Sequence, residues 1–204
     1  MIAIVDYGVG NLYSLEQSFH AIGAEVTVTA DPQVLRDAEK ILLPGVGAFG
    51  DAAQKLRSSG LADVVIQQAN AGKPLLGICL GMQLLFDVGY EYGTHQGLGL
   101  IQGQVRPIAD VIPADLKIPH MGWNALDIVK NSRFFQYIQN GDHVYFVHSY
   151  YAADCADATI ATAAYGAPLT AAVEKGNVFG CQFHPEKSGK VGLEILRAFS
   201  EMRV

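Results

Sequence analysis

The chain has 204 residues, of which 50% are hydrophobic and 17% charged, and its formal net charge is -6. That balance excludes intrinsic disorder and disfavours nucleic-acid binding, which needs a positive stripe that this sequence lacks. No apolar run approaches the ~20 residues that span a bilayer, and three scattered cysteines predict reduced thiols of a cytoplasmic protein rather than a disulfide framework.

In chain order, Ile2 to Val5 reads as a first strand. With no basic flank before it and no small-residue cleavage site after it, Met1 to Asp6 does not read as a signal peptide. Leu12, Leu15, Phe19 and Ile22 recur at helical spacing and stop at Gly23. Glu25 to Thr29 alternates as a strand does, and Lys40 to Leu43 is a short buried strand closed by Pro44-Gly45. Leu61, Val64, Val65 and Gln68 mark a helix ended by Gly72, Pro74 to Ile78 a strand, and Leu80 to Val88 a helix. This alternation predicts an α/β fold, a mostly parallel open sheet with helices on both faces. The second half reads as strands at Gly97 to Val105, Asn124 to Val129, His143 to Tyr150, Ala158 to Ala164, Leu169 to Glu174 and Val178 to Phe183. A last amphipathic helix runs from about Val191 to Met202. With no repeat and no linker, one domain over residues 1–204, carrying an antiparallel extension, is the simplest organisation.

The stretch Gly77-Ile78-Cys79-Leu80-Gly81 joins a predicted strand to a predicted helix. This is the pattern of a nucleophile elbow: glycines let the two arms approach, and the central side chain projects from the end of the sheet. A helix N-terminus also favours negative charge on the sulfur. Most free cysteines are small buried hydrophobes, and Cys155 and Cys181, which lack such a context, are read that way. A nucleophilic thiol needs a base and the base an orienting acid. His184 ends a strand-like run, with Glu186 two residues on. Pro185 between them is expected to hold the pair extended, with both side chains on one side. Among the other histidines, His148 is the best rival, since it too ends a strand. No grouping has zinc-ligand spacing, and no metal or cofactor is expected.

Acyl chemistry also needs two backbone N–H donors for the developing oxyanion. The Leu80 N–H follows the nucleophile directly, and the glycine-rich loop Pro44 to Gly50 offers the second, nominated at Gly47. The loop lacks the lysine and hydroxyl of a P-loop, so a phosphate cradle is the weaker reading. The peptide units from Gly45 to Gly47 have little steric hindrance and are expected to rotate, so the hole need not be complete in every state of the loop.

Three motifs in this order, Pro44-Gly-Val-Gly, Gly77-Ile-Cys-Leu-Gly-Met-Gln83 and Gln182-Phe-His-Pro-Glu186, resemble the class I (triad) glutamine amidotransferases. The opening Asp6 to Ser14, the run Lys117 to Asn124, Val147 to Tyr150, and Lys187-Ser188 are most similar to a branch of glutaminase subunits that supply ammonia to a separate (βα)8-barrel synthase, or cyclase, subunit in histidine biosynthesis. The resemblance implies glutamine hydrolysis through a cysteinyl thioester, with Cys79, His184 and Glu186 as the triad. It assigns Gln83, Glu91 and the backbone of Ser149 and Tyr150 to glutamine. It also implies a tight heterodimer, with Asn11, Trp123 and Lys187 near the contact. The competing roles for two of these are a solvated surface charge at Glu91 and core packing at Trp123. One alternative keeps the triad in a stand-alone cysteine hydrolase, a peptidase or γ-glutamyl hydrolase. Another is a non-catalytic module, which the presence of all three triad residues disfavours.

Overall fold

Along Ile2–Val5, Lys40–Leu43 and Leu75–Ile78 every residue is buried, because alternate side chains feed two separate cores. In β1 (Ile2–Val5), Ile2 and Ile4 enter one core while Ala3 and Val5 enter the other. The computed structural model, which describes residues 1–202, resolves this into a sheet covered on both faces. The remaining elements of the parallel half are α1 (Leu12–Ala21), β2 (Val26–Thr29), α2 (Pro32–Asp37), β3 (Lys40–Leu43), α3 (Phe49–Ser58), α4 (Leu61–Asn70), β4 (Leu75–Ile78) and α5 (Leu80–Leu84). Then follow β5 (Val88–Gly89), β6 (His95–Gln96), β7 (Gln104–Pro107), β8 (His120–Ala125), β9 (Asp127–Ile128), β10 (His143–His148), β11 (Tyr150–Ala153), β12 (Thr159–Ala164), β13 (Pro168–Lys175), β14 (Val178–Cys181) and α6 (Gly189–Glu201).

The main sheet has the order β2-β1-β3-β4-β14-β13-β12-β9. β2, β1, β3, β4 and β14 run parallel, and β13, β12 and β9 extend the sheet antiparallel. This is the predicted architecture. Phe19 of α1 and Ile195, Leu196 and Phe199 of α6 fill one core; Phe49, Leu56, Leu61 and Val65 of α3 and α4 fill the other. Each such side chain contributes roughly 1.5–3 kcal/mol by leaving water. Two smaller sheets stand beside the main one: β8 with β10, and β11-β7-β5-β6.

Several predicted elements are corrected. The helix expected over Leu80 to Val88 ends at Leu84, and the strand expected from Gly97 begins only at Gln104. One cause serves both. The N–H groups of Leu98, Leu100 and Ile101 donate to the carbonyls of Leu84 and Leu85, so this loop satisfies the helix end instead of joining a ladder. The strand expected over Asn124 to Val129 is divided at Leu126 between β8, which starts at His120, and β9 of the main sheet. The one expected to reach Tyr150 ends at His148, with Ser149 as the break before β11. The helices α2 and α3 add to the predicted elements. Among the described residues no helix is long and apolar enough to cross a membrane.

Candidate active site

Strands β4 and β14 lie side by side and parallel, with Ile78 opposite Cys181. Their next residues leave the same edge of the sheet together, and the Cys79 N–H donates to the Cys181 carbonyl at 2.8 Å. Ligand sites of open α/β sheets form at this carboxyl edge. Cys79 has φ 54° and ψ -111°, a positive-φ backbone that costs a non-glycine residue about 1–3 kcal/mol. Close packing holds it there. A Cβ on Gly77 would come 2.6 Å from the Gly81 carbonyl oxygen, and one on Gly81 would come 1.9 Å from the Leu43 carbonyl oxygen. The two glycines therefore serve arm-to-arm approach, and the strained turn falls on the cysteine.

His184 is buried beside Cys79, with Nδ1 2.8 Å from Glu186 Oε1. Because the carboxylate can only accept, Nδ1 carries the proton and Nε2 is left for the thiol. Burial works to lower the His184 pKa, but hydrogen bonds to Cys79 and Glu186 prevail and raise it to about 10. The Glu186 side chain is 1% exposed, and its Oε2 has no hydrogen-bond partner among the described residues. A buried carboxylate so placed depends on the imidazolium for compensation. Glu186 is not in the extended chain that was expected. His184 is extended (φ -99°, ψ 98°), but Pro185 to Lys187 form a 3-10 turn, which folds the carboxylate back onto the ring. Ser188 fixes that turn: its Oγ donates to the His184 carbonyl at 2.7 Å and accepts from the Tyr145 N–H at 2.9 Å.

A cavity of about 340 Å³ is lined by Gly47, Cys79, Leu80, Gln83, Glu91, Ser149, Tyr150 and His184. All the residues predicted for catalysis, oxyanion binding and substrate meet there, except that Glu186 lies behind His184. The Gln83 amide donates to the Gln182 side-chain oxygen at 2.9 Å and to the Tyr150 carbonyl at 3.2 Å. Glu91 is no solvated surface charge: its Oε2 accepts from the Phe49 N–H at 2.7 Å, so it caps α3 from across the cavity. Trp123 is 53% exposed, which removes core packing as its role. Cys155 and Cys181 are buried, and burial pushes both thiols up.

Two groups at the site take places that the sequence does not assign them. Gln182 is fully buried, and its Nε2 lies 3.6 Å from Cys79 Sγ. A polar residue inside the apolar run Val178 to Phe183 was the available signal. His148, expected only as a rival base, lines the cavity but turns Nδ1 to the Tyr150 carbonyl and Nε2 to His120. Among the described residues no set of three or more His, Cys, Asp or Glu side chains is arranged to hold a metal.

Residues 3–201 match the family model for glutamine amidotransferase class-I. The chain is 47% identical over 206 residues to "Imidazole glycerol phosphate synthase subunit HisH" of Syntrophotalea carbinolica, covering 99% of this chain and 100% of that one. It is 48% identical over 201 residues to the protein of the same name from Lactococcus lactis, covering 98% of each. Among solved structures, that of PurLQS from Thermotoga maritima superposes with a TM-score of 0.75 at 22% identity, over 97% of this chain and 96% of the other, a likeness of fold.

Proposed function

The chain belongs to the class I glutamine amidotransferases, and from that premise we propose that it is the glutaminase subunit of an imidazole glycerol phosphate synthase. Its 204 residues act as one amidotransferase domain in the cytoplasm. Cys79 Sγ attacks the side-chain amide carbon of glutamine while His184 Nε2 accepts the thiol proton. His184 returns that proton to the amide nitrogen, which leaves as ammonia, and a glutamyl thioester remains. Water, deprotonated by His184, then hydrolyses the thioester to glutamate and free thiol. Glu186 holds the imidazole in the productive tautomer and balances its charge in both half-reactions. The N–H groups of Leu80 and Gly47 receive the oxyanion of each tetrahedral intermediate. Gln83, Glu91 and the Ser149–Tyr150 backbone bind the amino-acid end of the substrate.

The ammonia passes to a (βα)8-barrel cyclase subunit, which uses it to make imidazole glycerol phosphate. The dock for that subunit lies at the cavity mouth. Pro119 and Lys187 line the cavity, and the neighbouring Ile118, Met121 and Trp123 are 46%, 60% and 53% exposed. Trp123 meets the edge of Tyr145, and Lys187 Nζ lies 5.9 Å over the same ring. Gly47 has φ +96° and open space around its Cβ position, so its peptide unit can rotate when partner and ligand bind.

The reading rests chiefly on one juxtaposition, the meeting of the β4 and β14 ends that sets Cys79 beside His184 over Glu186. Its test is glutamine hydrolysis by the wild type and by Cys79→Ala, each with and without the barrel synthase and its nucleotide ligand. The expected results are a loss of at least about 10⁴-fold in the variant, and a gain of about 10²–10³-fold in the wild type on adding the loaded partner, the worth of one oxyanion donor. Unchanged hydrolysis by Cys79→Ala, or cleavage of small peptides in preference to glutamine, would overturn it.

A further inference from the structure

His120 on β8 and His148 on β10 are cross-strand partners, and both are buried. Their rings form a chain of three contacts. His148 Nδ1 lies 2.7 Å from the Tyr150 carbonyl oxygen, His148 Nε2 lies 3.0 Å from His120 Nδ1, and His120 Nε2 lies 2.8 Å from Asn124 Oδ1. Both ends of this chain are acceptors. A carbonyl cannot donate, and the Asn124 amide is oriented by its own nitrogen, which donates to the Ala164 carbonyl at 3.1 Å. Three hydrogen bonds between two terminal acceptors need three ring N–H groups, whereas two neutral imidazoles supply two. With only two, one contact sets lone pair against lone pair in a buried place.

The third proton belongs on His120. Its ring is stacked between Phe146 at 4.9 Å and Tyr165 at 4.2 Å, and aromatic faces attract a cation. Phe146 is only tilted against His148, and burial pushes the His148 pKa down to about 4, leaving it neutral. Burial lowers the His120 pKa below the ordinary histidine value, with its bond to Asn124 opposing. The two ring faces and the hydrogen bond that would otherwise go unmade outweigh that burial. His148 alone of the pair lines the cavity, which it shares with His184, Lys187, Cys79 and Glu91, so His120 stands one ring behind those groups. The Tyr165 hydroxyl is turned away, donating to the Lys117 carbonyl.

We propose that His120 is a standing imidazolium and a positioning residue for the glutamine cavity. By donating Nδ1–H to His148 it fixes that ring as the Nδ1–H tautomer. His148 then holds the Tyr150 carbonyl, which also accepts from Gln83, and so sets the Ser149–Tyr150 edge. The role at substrate rests on the glutaminase reading; the proton count does not.

The test uses the full chain labelled with nitrogen-15 in its histidine rings, studied by NMR at about pH 7.5, above the ordinary histidine range. Wild type should show three protonated nitrogens among the four of this pair, assigned with His148→Gln. Asn124→Leu, which removes one terminal acceptor, should show two. Two in the wild type overturns the proposal, and that spectrum decides alone if Asn124→Leu fails to fold. In assays, His120→Phe keeps the ring stack and should raise KM for glutamine about ten-fold, with kcat changed less than about three-fold, the pattern of a lost binding contact. A fall in kcat at constant KM overturns the positioning role. A wild type without glutaminase activity even beside the loaded barrel synthase would sink the glutaminase reading and leave the proton count untouched.

Discussion

Two walls close the cavity, and they are built on different principles. The parallel wall, where β4 and β14 end, puts a strained cysteine beside a histidine whose pKa is raised to about 10 despite burial, by Cys79 and Glu186. The antiparallel wall, β8 with β10, puts His148 against a carbonyl and a second histidine, and burial depresses its pKa to about 4. Both rings are buried and both line the same space. Strand position does not separate a base from a structural histidine; the charge of the groups around the ring does.

The largest expected effect tests that contrast at its source. Glu186→Gln keeps an acceptor for Nδ1–H but removes the charge that compensates the imidazolium. Glutamine hydrolysis should fall about 10³–10⁴-fold, and the thermal transition should fall as well because a buried ion pair is broken. A fall of less than ten-fold would mean that the parallel wall owes nothing to its carboxylate. Next comes Gly81→Ala. With a Cβ 1.9 Å from the Leu43 carbonyl oxygen, backbone must move, and the loss should reach about 4 kcal/mol or more in urea unfolding. A variant as stable as wild type would show that the elbow is not held by steric exclusion.

These walls also differ in how far the sequence reveals them. The parallel wall is local: a strand, a glycine-flanked cysteine and a histidine before Pro185 each leave a pattern within a few residues. Yet even there α3 escapes, because its N-cap Ala48 offers no side-chain bond and the cap comes from Glu91, 42 residues beyond the Phe49 N–H that it accepts. α2 carries an ordinary start signal, Asp31 capping Gln33 ahead of Pro32, but its six residues are too short for a hydropathy period to mark. The antiparallel wall depends on partners far apart in the chain. The His120–His148 contact exists only through the β8–β10 register, and Gln182 gains meaning only beside Gln83, 99 residues away. Hydropathy period finds strands; it does not pair them.

Ser188 joins the two walls, bonding the His184 carbonyl on one side and the Tyr145 N–H on the other. Ser188→Ala removes both bonds from a buried site and should cost about 2 kcal/mol of stability. It should also lower glutamine hydrolysis by about ten-fold as the base loosens, unlike Gly81→Ala, whose cost lies in folding. Full activity would show that the walls are positioned independently.

The smallest effect is a pH dependence carried by the antiparallel wall alone. His148 is depressed from 6.5 to about 4, chiefly by burial, with His120 and His184 adding repulsion and the Tyr150 carbonyl opposing. The unfolded chain therefore takes up a proton near pH 6.5 that the folded chain refuses until about pH 4. Stability from this group is complete above about pH 6.5 and is lost as pH falls towards 4, by about 1 kcal/mol per pH unit. His148→Gln keeps polar atoms against Tyr150 and His120 but cannot titrate, so its urea midpoint should decline less steeply than wild type between about pH 6.5 and 4.5. Carboxylates elsewhere destabilise both proteins alike in acid, and the difference between the curves isolates His148. Parallel curves would mean that this ring is charged in the folded state, and the two walls would then hold their histidines in the same way.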